Sequence, residues 1–240
     1  WKMHKTAGQA ADTARHLAAA AAGVTHAQVM IAPPFTALST VAAILADSNI
    51  SLGAQNMFWA AEGAFTGEIS PVMLAEIGCR YVIIGHSERR HLFGEPNDLI
   101  CKKVKAALDA HLTPILCVGE TESEREAKKT FSILDKQVEH GLEDLILDAN
   151  QDLVIAYEPV WAIGTGKTAQ PQEVGEVHSY LRESMARLFG ETRADAIRIL
   201  YGGSVKPENV SALMALSDVD GALVGGASLD PDTFMQIINF

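Results

Sequence analysis

Seven short, almost uninterrupted apolar runs alternate with longer amphipathic segments along this chain, and that alternation limits the fold more than any other feature. The runs are Val29–Ala32, Ser51–Gln55, Tyr81–Gly85, Pro114–Val118, Val154–Glu158, Ile197–Tyr201 and Gly221–Val224. Each is too short for a helix, and near-continuous hydrophobicity is what a strand covered on both faces requires. Between them the spacing predicts helices over Asp12–Ala22, Phe35–Asp47, Pro71–Ile77, Asp98–His111, Glu122–His140, Gln172–Phe189, Pro207–Leu216 and Pro231–Ile238. Several open with proline near the first turn, where a missing N–H costs little. Such alternation argues for βα units and an α/β fold with parallel strands. A helix precedes the first visible strand, so an eight-unit count needs a strand before residue 12. Only Trp1 to Met3 remain to supply it, and that first strand reads as truncated. Eight βα units close into a barrel; from pattern alone, a doubly wound sheet stays open as the alternative. No GxGxxG follows the first strand, which leaves the dinucleotide form of that sheet unsupported. No low-complexity linker interrupts residues 1–240, so the chain reads as one domain.

Charge narrows the partners. The 240 residues carry 19 Lys plus Arg against 30 Asp plus Glu, a net charge of −11. That field disfavours nucleic acid and anionic membranes. A small anionic substrate remains compatible, because one local positive pocket outweighs a distant, salt-screened field. No apolar run is long enough to span a membrane. No signal-peptide core follows the basic start, so a cytoplasmic location is expected. Cys79, Cys101 and Cys117 are odd in number and lack CxxC spacing, which predicts reduced thiols and no metal site.

Polar residues gather at the C-terminal ends of the strand runs, where parallel α/β proteins place their sites. They are Lys2, Gln55 and Asn56, His86, Gly119 and Glu120, Glu158, Gly202 to Ser204, and Gly225-Gly226. Taken alone, His86 reads as a structural histidine, Lys2 as a solvated lysine, and Glu158 equally as a strand cap or a functional carboxylate. The glycine pairs after the last two strands say more. Side-chain-free turns let successive N–H groups approach a ligand as an anion nest, and phosphate sites recur at this place in barrels. The segment Pro159-Val160-Trp161-Ala162-Ile163-Gly164-Thr165-Gly166-Lys167-Thr168-Ala169 has small residues and two glycines between bulkier ends, as a lid with defined hinges would. As a plain surface loop it would leave Trp161 and Ile163 as unexplained apolar surface at an exposed tip.

Five motifs, in order along the chain, resemble the triosephosphate isomerase family: Trp1-Lys2-Met3, Gly85-His86-Ser87-Glu88-Arg89-Arg90, Ala156 to Lys167, Tyr201-Gly202-Gly203-Ser204 and Val224-Gly225-Gly226-Ala227-Ser228-Leu229. The resemblance implies a (β/α)8 TIM barrel, a homodimer, no cofactor and no metal. It implies an isomerase that interconverts dihydroxyacetone phosphate and glyceraldehyde 3-phosphate through an enediolate, in glycolysis and gluconeogenesis. Carried over by position, Glu158 matches the general base and His86 the electrophile, opening a short helix over Ser87 to Arg90. Lys2 matches the lysine that stabilises charge on the substrate, and Glu88 the carboxylate that positions it. Gly164, Ser204, Gly225 and Gly226 match backbone donors to the phosphate, and Pro159 to Ala169 the lid. Cys117 matches a buried cysteine behind the base, a packing residue. Asn56 to Ser70, with Phe65 at its tip, matches the loop that docks into a partner subunit; unaided, it reads as a long surface loop. His4 departs from the Asn common there. The family pattern also leads us to expect an apolar strand ending in Asn ahead of Trp1. Two other readings stay open: a catalytically impaired phosphate-binding barrel, if that strand is lacking, and a different phosphate-binding enzyme such as a sugar-phosphate epimerase.

Overall fold

The computed structural model of the protein describes residues 1–165 and 167–240. Its strands are β1 (Val29–Ile31), β2 (Ile50–Ala54), β3 (Tyr81–Ile84), β4 (Thr113–Val118), β5 (Val154–Tyr157), β6 (Arg198–Tyr201) and β7 (Gly221–Ala222). All pair in parallel and in sequence order, from β1 at one end to β7 at the other. The doubly wound alternative is excluded, because it requires the strand order to reverse partway.

Register explains the apolar runs. Tyr81 and Ile83 of β3, Ile115 and Cys117 of β4, and Val154 and Ala156 of β5 form one buried cluster inside the curled sheet. Their alternate neighbours, Val82, Ile84, Leu116, Val118, Ile155 and Tyr157, join the larger cluster beneath the helices. Side chains alternate faces along a strand, and both faces of these three are covered, so their buried positions stay apolar until the strand ends. The same parity turns Glu158, one residue past β5, toward the interior at the C-terminal mouth.

The helices are α1 (Ala7–Ala20), α2 (Leu38–Leu45), α3 (Pro71–Ile77), α4 (Ser87–Leu92), α5 (Asn97–Asp109), α6 (Glu122–Glu126), α7 (Thr130–Gly141), α8 (Pro171–Phe189), α9 (Glu191–Ala196), α10 (Val210–Met214) and α11 (Pro231–Ile238). Several differ from the sequence-based expectation: α9 lies where no helix was expected, and α10 begins at Val210 rather than Pro207. Helix α1 starts five residues early, at a capping box in which Thr6 and Gln9 satisfy each other's backbone donors. The helix expected over Glu122–His140 is two, α6 and α7, separated by Lys128 at φ 57°. A left-handed residue cannot continue an α-helix.

Trp1 to Met3 form no strand, although Trp1 is buried and its amino group donates to Ala32 O at 3.3 Å. A cavity of about 460 Å3 lies within the sheet beside β1 and β7, lined by Trp1, Met30, Leu200, Leu223 and Phe234 among others. No helix among the described residues is long and apolar enough to cross a membrane.

Candidate active site

The mouth of the barrel is assembled from strand ends. Glu158 follows β5 and is 2 % exposed, a depth at which an ionised carboxylate needs donors. It has two. The Ser87 N–H donates to Glu158 Oε2 at 2.8 Å, and His86 Nε2 stands 3.0 Å from Glu158 Oε1. His86 lies past β3, beyond Gly85, whose φ of 70° turns the chain sharply into α4. It caps that helix itself: the Glu88 N–H donates to His86 Nδ1 at 3.2 Å. A nitrogen that accepts carries no proton, so the neutral ring holds its proton on Nε2 and donates it toward Glu158.

Lys2 approaches from the chain start in a left-handed conformation, φ 49°. Its backbone oxygen accepts from Gln55 Nε2 at 2.9 Å, and the same amide donates to Ala32 O at 2.8 Å. Lys2 Nζ pairs with Glu88 Oε1 at 2.5 Å. Burial pushes the Glu88 carboxyl upward, but the hydrogen bond and charge of Lys2 carry it below its ordinary value. The circuit closes through the glycines. A Cβ on Gly202 would sit 2.9 Å from Glu158 Cγ, and one on Gly225 would sit 3.7 Å from Lys2 Cε. Lys2, Glu88, His86, Glu158, Gly202 and Gly225 thus share one contiguous surface.

Three predicted phosphate donors stand outside that circuit: Gly164, Ser204 and Gly226, the last with open space where a Cβ would be. Gly164 has φ 69° and open space where a Cβ would be. Ser204 O accepts from Asn209 Nδ2 at 2.9 Å. The segment expected to be a lid, Pro159 to Ala169, is buried at Pro159, Ala162 and Ala169 and exposed at Gly164, Thr165, Lys167 and Thr168; Gly166 lies outside the described residues. Trp161 is half-buried, not the exposed tip that a plain surface loop would have made it. Its Nε1 donates to the fully buried Glu120 at 3.0 Å, with the Arg125 guanidinium 4.6 Å from its ring centroid. Glu120 also accepts from Tyr157 OH, at 3.2 and 3.1 Å to its two oxygens. Lys167 Nζ pairs with Glu122, tying the far half of the lid back to α6.

Behind the carboxylate, Cys117 is wholly buried, as expected of a packing residue. Burial first, and the Glu158 charge second, push its thiol well above the usual range. Arg90 donates to Gly85 O, Cys117 O and Asn97 Oδ1 at 2.7, 2.9 and 2.6 Å, pinning the ends of β3 and β4 together. Sequence reasoning passed over Arg90, and Ser87 as a donor to Glu158. The only signal for Ser87 was its place in the first turn after a strand end, where N–H groups are free.

A family model described as triosephosphate isomerase matches residues 1–240. The chain belongs to the triosephosphate isomerase family. A triosephosphate isomerase of Endomicrobium trichonymphae is 53% identical over 240 residues, covering 100% of this chain and 96% of that protein. One from Syntrophotalea carbinolica is 52% identical, covering 100% and 95%. Among solved structures, the crystal structure of triosephosphate isomerase from Bartonella henselae superposes with a TM-score of 0.90 at 41% identity, covering 100% of this chain and 95% of that one. The fold is accordingly the TIM barrel of this family.

Proposed function

We propose that Glu158, His86, Lys2 and Glu88 carry out in this chain the reaction of the triosephosphate isomerase family, the interconversion of dihydroxyacetone phosphate and glyceraldehyde 3-phosphate. Glu158 takes a proton from the carbon beside the substrate carbonyl and returns it to the neighbouring carbon. Negative charge builds on oxygen as the proton leaves, and preorganised donors lower that barrier. His86 Nε2–H supplies one such donor; with Nδ1 accepting from the backbone, the ring acts as a neutral electrophile. The pairing of a carboxylate base with a neutral imidazole is well known from this same enzyme family, and the division of roles is carried over from it. Lys2, held by Glu88, adds a positive charge for the developing oxyanion and the phosphate. Backbone N–H groups of Gly164, Ser204, Gly225 and Gly226 take the phosphate once the lid, Pro159 to Ala169, has closed. The enediolate can expel its phosphate ester, and a closed lid that excludes water suppresses that loss. Proton removal and return need no cofactor and no metal.

The observation that carries this reading is the 3.0 Å contact between His86 Nε2 and Glu158 Oε1 in a site where Nδ1 accepts from Glu88 N–H. We assign the assembly to a homodimer formed through Asn56 to Ser70, in the cytoplasm, with residues 1–240 as one barrel domain. In that loop Phe65 is 43% exposed while its ring packs on Phe58, and Phe58 stacks on Trp59. An apolar tip held in shape by its own aromatics suits insertion into a partner.

The test is conversion of glyceraldehyde 3-phosphate to dihydroxyacetone phosphate, followed through a coupled reduction of the ketone. Turnover is expected. Phosphate binding without turnover points to the impaired barrel, and epimerisation of a sugar phosphate instead points to the other enzyme class.

A further inference from the structure

We propose that Gln137, on the outer helix α7, is a positioning residue for the Glu158 carboxylate and the root of the lid. This inference rests on the assignment of Glu158 as the base. Strand β4 ends at Val118, whose carbonyl still accepts from Glu158 N–H at 2.8 Å. One residue on, the Gly119 backbone has run past its ladder partners. Gln137 replaces them: Gly119 N–H donates to Gln137 Oε1 at 2.7 Å, and Gln137 Nε2 donates to Gly119 O at 3.1 Å. A carboxamide holds one donor and one acceptor side by side, as a neighbouring strand would offer them.

What that clamp holds is the chemistry. Gly119 lies so close to Glu158 that a Cβ on it would fall 1.8 Å from Glu158 O. The next residue, Glu120, accepts from Val160 N–H at 3.1 Å through its backbone and from Trp161 Nε1 through its side chain. Val118 to Glu120 is therefore the bed on which both the base and the first turn of the lid lie, and Gln137 fixes it from the helix side. Reacting groups out of place by about 1 Å lose on the order of 10²-fold in rate. A partial release of this bed is expected to cost about tenfold or more.

The test uses the full chain with two variants, Gln137→Met, which keeps the shape without the hydrogen bonds, and Gln137→Glu, which keeps only the acceptor. For Met we expect kcat to fall about tenfold or more with KM for glyceraldehyde 3-phosphate changed less than about twofold. For Glu we expect a similar loss at pH 8 and recovery relative to wild type as pH falls toward the ordinary Glu value of about 4.3, because a protonated carboxyl regains the donor. A merely structural role would lower thermal stability without this split or this pH signature. Unchanged kcat in either folded variant overturns the inference, as does loss spread equally over kcat and 1/KM. Should Gln137→Met not fold, the Glu variant's pH ratio decides alone, and a flat ratio refutes the clamp. A wild-type protein that fails to isomerise the substrate sinks the reading of the base instead, so the two failures are distinct.

Discussion

His86 Nε2 lies 3.0 Å from Glu158 Oε1, while the opposite nitrogen of the same ring accepts from the Glu88 backbone. One hydrogen bond from a helix's first turn therefore decides which ring nitrogen carries the proton, and that proton faces the carboxylate. Replacing His86 with Gln keeps a donor of similar reach on a different frame. Loss of one well-placed oxyanion donor costs about 10²–10³ in kcat. We expect His86→Gln to fall by about that factor with KM little altered, measured by steady-state kinetics in both directions. A variant within about threefold of wild type would remove His86 from the electrophile's role.

The proposed lid, Pro159 to Ala169, is fastened at two points, by Trp161 to Glu120 and by Lys167 to Glu122. Deleting its exposed middle should leave the barrel folded, because the buried Pro159, Ala162 and Ala169 are retained. The shortened protein should release inorganic phosphate during turnover, since an exposed enediolate eliminates its ester. Clean isomerisation with no phosphate released would count against the lid.

Much of this site was legible because it sits where buried strands stop. Glu158, His86 and the glycine turns each follow an apolar run directly, so strand-end position marked them as candidates, and the family motifs gave Glu158 and His86 their roles. Lys2 stood among the strand-end candidates but took its role from the family motif; nothing in Trp1-Lys2-Met3 announces the left-handed turn of the residue paired with Glu88. Gln137 carried no signal at all, since a glutamine on the polar side of a helix reads as solvated. The break at Lys128 was equally hidden, for Glu122–Lys129 is rich in good helix formers and no Gly or Pro marks the turn. The start of α1 was different. Thr6 and Gln9 spell a capping box, a local signal sufficient to place the first turn of that helix.

His178 of α8 is fully buried, with its ring nitrogen Nδ1 bonded to Asp218 O at 3.0 Å and its ring nearly perpendicular to that of Tyr157. Burial, opposed by that hydrogen bond and by Asp220 and Asp218, lowers its pKa from 6.5 to about 4. The folded protein thus refuses a proton that the unfolded chain takes up. The stabilisation is present above pH 6.5 and is lost as pH falls toward about 4. At about 1.4 kcal/mol per pH unit, the loss is roughly 3 kcal/mol. Urea melts of wild type and His178→Gln across that window should show a steeper decline for wild type. Parallel declines would exclude His178 as the source.

Phe65 anchors the proposed subunit contact. Interfaces concentrate their energy in a few well-packed aromatic side chains. Sedimentation at micromolar concentration should show a dimer for wild type and a larger monomer fraction for Phe65→Ser. A wild-type monomer would refute the assignment of the loop.

The most direct measurement is the turnover number of Glu158→Gln beside its affinity for a triose phosphate analogue. The amide keeps the size of the side chain and can still accept from Ser87 N–H, but it cannot take up the substrate proton. A carboxylate acting as general base contributes about 10²–10⁴ in rate, so kcat should fall by that factor while analogue binding changes little. A variant that retains more than roughly a tenth of the wild-type kcat would contradict the account.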